Sequence, residues 1–405
     1  MSGRSIVLCA TMDTKSEEAL YLKQQLEALG HTVRIIDMGM KKPSPAGVYI
    51  TQAEVAGANY NKIVSSAVRS EASAYMEQGL KRIVRQLYED GLLNGIIGVG
   101  GSGGTTMASS AMHELPLGVP KIVVTTMASG NTLPYVQGED VLLLNPVVDI
   151  QNLNFLTEYI LRQAAAIMDG MVNTPPMERR TGKAIAISCF GVTTPCVERF
   201  TRLLQAQGYE VLIFHARGAS GGKIMEKMIA ENHFCAVLDI TTTELADEVA
   251  GGIYAVGPRR LRSAIERGIP CIVVPGALEM VNLSTEDTLL PAQKARTLYY
   301  HSPSSVKMRA NKEEMKRLGE IFVERMQDAQ PGKAVVIIPE GGFSSVNAPG
   351  KVFWDPEADR IFINELHYKM PANVQVRIRK EHINDEPFAD EIVRQLLKMI
   401  GRLPY

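Results

Sequence analysis

Cysteine is scarce in this chain: five residues in 405, an odd number, with no CxxC pair among Cys9, Cys189, Cys196, Cys235 and Cys271. That excludes a disulfide framework and a zinc knuckle, and makes the thiols small core hydrophobes. Net charge is also nearly absent. Lys+Arg 43 against Asp+Glu 44 leaves −1, so no global field draws the chain to a nucleic-acid or lipid phosphate backbone. No apolar run reaches the roughly 20 residues of a membrane-spanning helix. The opening MSGRSIVLCATMD lacks both a long apolar segment and a small-residue cleavage site, which predicts a cytoplasmic protein. With 45% hydrophobic and 21% charged residues the composition is that of an ordinary globular chain of two or three domains.

Glycine, by contrast, is plentiful and unevenly spread. Short β-branched runs end in glycine or threonine and are followed by amphipathic stretches, the pattern of βα units around a parallel sheet. Two stretches resemble each other: SIVLCATMDTKSEEALYLKQQLEALG followed by HTVRIID, and KAIAISCFGVTTPCVERFTRLLQAQG followed by YEVLIFH. LKRIVRQLYEDGLLNGIIGVG and GVPKIVVTT have their own echoes in KIMEKMIAENHFCAVLDIT and GIPCIVVPG. The expected fold class is α/β, with two Rossmann-like subdomains, each a mainly parallel sheet flanked by helices, and a ligand cleft between them. A helix over Phe155–Met168 and the loop MVNTPPMERRTG put the boundary near residue 178, giving domains 1–178 and 179–405. Thr14 with Glu17 fits a capping box, and Thr194 with Pro195 an N-cap followed by proline at the first helical position. The first half carries an insertion, Met40 to about Ser73, of the kind that serves as a binding element or stays disordered.

The strongest chemical signal is IIGVGGSGGTTMASSAMHEL, where Gly98, Gly100, Gly101, Gly103 and Gly104 end a strand and open a helix. Backbone without side chains approaches an anion closely, and free N–H groups at a helix N-terminus bind phosphate or carboxylate oxygens. Ser102, Thr105 and Thr106 add hydroxyls. GxGxxG is satisfied, but the acidic residue that a dinucleotide needs about 20 residues on is missing, and no lysine follows the glycines as a P-loop requires. Other strand-end turns should face the same crevice. These include Asp13 and Lys15, Thr126 and Ser129 in TTMASGNT, His215 before ARGASGG, Thr241 to Glu244, and Glu340 in PEGG. Asp13, His215 and Glu340 are the candidate catalytic groups, His215 because its ordinary pKa lies near neutrality. Lys15, Arg69 in the insertion and Arg309 near His301 are the expected phosphate-facing cations. No histidine spacing points to a metal.

Taken together, GVGGSGGTT, ATMDTK, HSPSSVKMR and NAPGKVFWDPEAD resemble, in this order and over the whole chain, an uncharacterised protein family that includes the N-terminal ATP-binding domain of the tomato mosaic virus resistance protein. The resemblance implies two Rossmann-like subdomains, ATP with or without magnesium, and homodimers or higher homo-oligomers. It transfers the glycine-rich loop as a nucleotide-phosphate cradle and no catalytic residue. Three functions stand open at this point: a nucleotide-dependent enzyme of small-molecule metabolism with an unidentified second substrate, an ATP-binding regulatory or interaction module, and a sugar-acid or keto-acid enzyme using the loop for a carboxylate or sugar phosphate. None needs a nucleic acid or membrane partner.

Overall fold

The computed structural model describes residues 3–65, 69–176 and 182–401. The chain divides into two compact units, Met1–Glu178 and Arg179–Tyr405.

In the first unit five strands, β1 (Ser5–Ala10), β2 (Thr32–Asp37), β3 (Gly95–Gly100), β4 (Lys121–Thr125) and β5 (Leu142–Leu144), form a wholly parallel sheet in the order β2-β1-β3-β4-β5. A parallel sheet is covered on both faces, so its strands are apolar throughout rather than alternating. That is why SIVLCA and GIIGVG read as unbroken apolar runs. Successive residues still point to opposite faces. Ile6 and Leu8 pack with Ile97 and Ile122 under the helices Met12–Ala28 and Phe155–Asn173, through Leu22, Leu26, Leu161 and Met168. Val7, Cys9, Ile96 and Val123 face the other layer, built by the helices Arg69–Glu89 and Ser102–Met112.

The second unit repeats the plan. Its strands β6 (Ala184–Cys189), β7 (Glu210–His215), β8 (Ala236–Thr241) and β9 (Cys271–Gly276) are followed by β10 (Met280–Leu283), β11 (Leu298–Ser302) and β12 (Ser305–Arg309). The last two are β13 (Ala334–Pro339) and β14 (Gln375–Arg379). Six of these make a parallel sheet in the order β14-β13-β9-β8-β6-β7. Read from the β7 edge, the strands come second, first, third, fourth, fifth, as in the first unit, with β14 added. The remaining three form a separate antiparallel sheet, β10-β12-β11, inserted between β9 and β13. The βα pattern read from the sequence foresaw no such sheet. Asn282, Lys307 and Arg309 of this sheet are buried.

Two helix starts differ from expectation. The first helix begins at Met12 with Thr11 as N-cap and no side-chain cap bond, and Thr14 Oγ1 lies 3.0 Å from Thr11 Oγ1, so the Thr14–Glu17 box does not form. In the second unit Thr194 is already helical, behind a 3₁₀ turn over Gly191–Thr193. Among the described residues no helix is long and apolar enough to cross a membrane.

Candidate functional site

In the first sheet β1 and β3 are neighbours, yet the helix after β1 goes to one face and the helix after β3 to the other. Such a switch point opens a crevice at the carboxyl ends of the strands, where open α/β sheets take their ligands. A cavity of about 780 Å³ occupies it. Its wall is built from Thr11–Lys15 after β1, Gly101–Gly104 after β3 and Met40–Pro43 after β2, with Gln52, Tyr60 and Ile63 from the inserted segment. That segment carries its own ordered start, the helix Gln52–Ala56, closed by a Thr51–Glu54 capping box.

The glycines of the loop do different things, and none of them adopts the positive φ that glycine alone takes readily. Gly98 and Gly100 are packing glycines. A Cβ on Gly98 would lie 2.8 Å from the Ala108 Cβ, and one on Gly100 would lie 3.0 Å from the Gly104 Cα, so both let the helix sit against β3. Gly101 is different: it is the N-cap of Ser102–Met112, with φ −79° and ψ −158°, and a Cβ there would meet nothing within 4 Å. Its missing side chain leaves the cavity open. No side chain caps this helix, and the first intrahelical bond is Thr105 N–H to Gly101 O at 2.9 Å. The N–H groups of Ser102, Gly103 and Gly104, all in the cavity wall, therefore have no intrahelical acceptor. They carry the positive end of the helix dipole.

Of the three hydroxyls expected here, one remains available. Thr105 is fully buried and donates to Gly101 O at 2.8 Å, with its Oγ1 2.6 Å from that of Thr125. It ties β3 to β4 rather than offering a donor to a ligand. Thr106 Oγ1 bonds back to Ser102 O at 3.0 Å. Ser102 lines the cavity.

Two carboxylates brace the rim. Asp37, fully buried at the end of β2, accepts from Met12 N–H (3.0 Å) and Gly39 N–H (2.6 Å) and, through its other oxygen, from Ser44 Oγ (2.6 Å). Asp13 accepts from Met40 N–H (3.2 Å) and Lys41 N–H (3.0 Å). Gly39 passes between them, where a Cβ would come within 2.9 Å of Asp37 Oδ1 and 3.1 Å of Asp13 Cγ. Asp13 is thus a positioning residue for the turn that presents Lys41 and Lys42. Lys15, at a kink in its helix (φ −134°, ψ 24°), joins them in the wall. Among the described residues no salt bridge engages Lys15, Lys41 or Lys42. The sequence reading named Lys15 and missed the pair Lys41-Lys42, whose signal was two adjacent cations directly after a strand; it also missed Asp37.

The other sequence candidates lie elsewhere. Thr126 and Ser129 form the 3₁₀ turn after β4, outside the cavity wall, with Ser129 Oγ on Thr126 O. The side chain of Arg69 lies outside the described residues. Arg309 is buried in the second unit. Its guanidinium is spent on Phe353 O (2.9 Å), Ala310 O (2.9 Å), Asp355 O (3.4 Å) and the Asp359 carboxylate, so it is a core ion pair and not a free phosphate-facing cation. Glu340 is exposed after β13, and His215 ends β7, four strands away in the same sheet, roughly 19 Å at the usual strand spacing. They do not share a site. The turn Thr241–Glu244 is the second unit's counterpart of the glycine loop and is fully buried. Glu244 accepts from Gly218 N–H (2.8 Å), Gly222 N–H (2.9 Å) and Arg260 Nε (2.7 Å).

Comparison with known proteins matches residues 4–176 to the N-terminal domain and residues 182–400 to the C-terminal domain of Uncharacterised protein family (UPF0261). A UPF0261 protein of Clostridium tetani is 39% identical over 405 residues, covering 99% of this chain and 100% of that protein. The ToMV susceptible protein tm-1(GCR26) of Solanum lycopersicum is 37% identical over 340 residues, 82% of this chain but 45% of the tomato protein. The ToMV resistance protein Tm-1(GCR237) matches to the same extent. With both halves matched in order by the two domains of one family, and relatives aligned along its whole length, the chain belongs to Uncharacterised protein family (UPF0261).

Proposed function

We propose that the first unit binds ATP or a close nucleotide in the switch-point cavity, with the phosphates on Gly101–Gly104 of the Gly100–Thr106 loop, and that the protein is a nucleotide-dependent enzyme of small-molecule metabolism. The observation that carries this reading is convergence. One cavity receives an uncapped helix N-terminus, the open space beside Gly101, and three lysines without salt bridges. The donors fit a polyphosphate, since N–H groups bind oxygens at close range while ammonium groups neutralise charge farther along. The volume of about 780 Å³ lies within the usual range for ligand pockets. Lys41 and Lys42 take the place given to Arg309 in the sequence reading. Homo-oligomers belong to the same proposal and would be read by sedimentation equilibrium.

Calorimetric titration of the full chain with ATP, ADP, AMP and NAD tests it. Gly101→Val, which fills the open space, should abolish ATP binding while the protein stays folded, at no more than the modest cost of a poorer N-cap. Lys15→Met and Lys41→Met should each weaken ATP more than AMP, by about 1 to 3 kcal/mol for a charge-assisted contact. Unchanged ATP affinity in folded Gly101→Val refutes the placement of the phosphates.

A further inference from the structure

A second cavity lies wholly within the second unit, where the chain leaves β6 and β7. Its volume is about 280 Å³ and its wall holds four basic side chains, His215, Arg217, His301 and Lys307, and no carboxylate. The Thr241–Glu244 turn after β8 is buried and takes no part in the wall. Gathering basic groups around a space without an acid costs free energy that an anionic occupant returns.

Lys307 forms the floor. Its ammonium donates to Asn282 Oδ1 at 2.7 Å and lies 5.1 Å from the Phe190 ring centre and 5.7 Å from that of Tyr254. Asn282 in turn donates through its side-chain amide to Asp247 at 3.2 Å, which places the nearest carboxylate one residue removed. Burial draws the Lys307 pKa down to about 8, Asp247 opposing and Arg217 adding to the fall. Arg217 stands exposed on the rim and donates to the Tyr254 hydroxyl through Nε (3.2 Å) and Nη2 (3.1 Å). His215 Nδ1 is 3.2 Å from the Cys189 carbonyl. A carbonyl only accepts, so Nδ1 carries the proton and Nε2 is left as an acceptor. Partial desolvation lowers the pKa of this ring, the Cys189 bond opposing and Arg217 and Lys307 lowering it further, which favours the neutral form. Ser302, Ser304 and Ser305 add hydroxyls.

We propose that this cavity binds a small hydroxylated oxyanion, a hydroxy acid or sugar phosphate of roughly ten non-hydrogen atoms, with its anionic group toward Arg217, His301 and Lys307 and a hydroxyl donating to His215 Nε2. The assignment is independent of the nucleotide reading, because the two cavities lie in different units. Charge selects the anion, and the neutral imidazole with the serines selects hydroxyls over a bare inorganic ion.

The test is calorimetric titration of the full chain with glycerate and with glycerol 3-phosphate, at about pH 6.5 and about pH 9.5. At least one should bind below millimolar concentration, and which one names the anionic group as carboxylate or phosphate. Arg217→Met and His301→Gln, both exposed positions whose loss leaves the fold intact by circular dichroism, should each weaken it about tenfold. Arg217→Lys should restore most of the affinity, and Lys41→Met should not change it. Binding should weaken as pH rises through about 8, where Lys307 loses its charge. No heat from either compound up to about 10 mM overturns the assignment, as does wild-type affinity in both rim variants. A loss in Lys41→Met instead of Arg217→Met moves the oxyanion to the first unit and equally refutes it.

Discussion

Arg260 should contribute strongly to the stability of the second unit. It is fully buried and faces three buried carboxylates: Glu244 at 2.7 Å, Glu226 at 3.4 Å, and Asp239, bonded through both terminal nitrogens. Glu226 also accepts from Leu261 N–H (2.6 Å) and Ser263 N–H (2.8 Å), so the cluster also pins the chain that follows Arg260. Arg260→Met keeps most of the volume and removes the counter-charge that, among the described residues, all three acids share. Removing one partner of a buried ion pair costs about 3 to 5 kcal/mol. At a urea slope near 2.5 kcal/mol per M, this lowers the unfolding midpoint of the second unit by about 1 to 2 M. The single tryptophan, Trp354, lies in this unit, so its fluorescence reports the transition without interference from the first. Burial already raises the pKa values of Glu226 and Glu244 in the native protein, and loss of Arg260 raises them further. Acids with a folded pKa above the unfolded value cost nothing below the unfolded pKa and cost more as pH climbs toward the folded one. The deficit of the variant should therefore be larger at about pH 8 than at about pH 5, and adding Glu244→Gln should recover part of it. A midpoint shift under about 0.3 M, near the error of such extrapolations, or a deficit independent of pH, would refute this account.

Three further outcomes follow from contacts described above. Gly98→Ala drives a methyl into Ala108 and should cost about 1 to 3 kcal/mol in thermal unfolding, whereas Gly101→Ala, which meets no neighbour and loses only the N-cap preference for glycine, should cost less; the reverse ranking would undo the division of labour in the loop. Asp37→Ala strands the N–H groups of Met12 and Gly39 in the interior and should cost about 3 kcal/mol, with ATP binding falling in parallel because the Met40–Pro43 turn loses its brace. Burial pushes the thiols of Cys9 and Cys271 up to about 12, so a disulfide reagent at about pH 8 should label no more than Cys235, the least buried of the five, until urea is added. Rapid labelling of Cys9 in the folded protein would contradict the packing of β1.

The parallel sheets were legible because their strands are buried on both faces and so stand out as β-branched runs closed by glycine or threonine. Their order was not. Whether β3 lies beside β1 or beyond β2 depends on which face each crossover helix takes, and that is decided by packing partners distant in sequence. The glycine loop was visible as a motif, but its division into packing glycines and one open glycine rests on Ala108 and Gly104 lying across from them. Arg309 shows the opposite failure. In sequence it lies near Ser304, Ser305 and Lys307 and just before the charged stretch NKEE and reads as a surface cation, while β12 carries it into the core against Asp359. The Thr14 box failed by local competition, the helix having begun two residues earlier at Met12. Lys41 and Lys42 sit in an insertion with no periodicity, and only the carboxylate brace of Asp13 shows that their turn is held in the wall of the switch-point cavity.

The antiparallel sheet between β9 and β13 bears on how relatives can vary in length. An insertion that merely decorates a fold can be trimmed, but this one contributes Glu279, Asn282, Lys307 and Arg309 to the interior, and deleting β10 or β12 would leave their acid and amide partners orphaned. Gains and losses of residues across the family should therefore concentrate in the largely exposed tip Glu286–Lys294, with Leu289, buried within it, retained as the point where the tip is anchored. An alignment of relatives with gaps inside β10 or β12 instead would mean that this sheet is ornament rather than core.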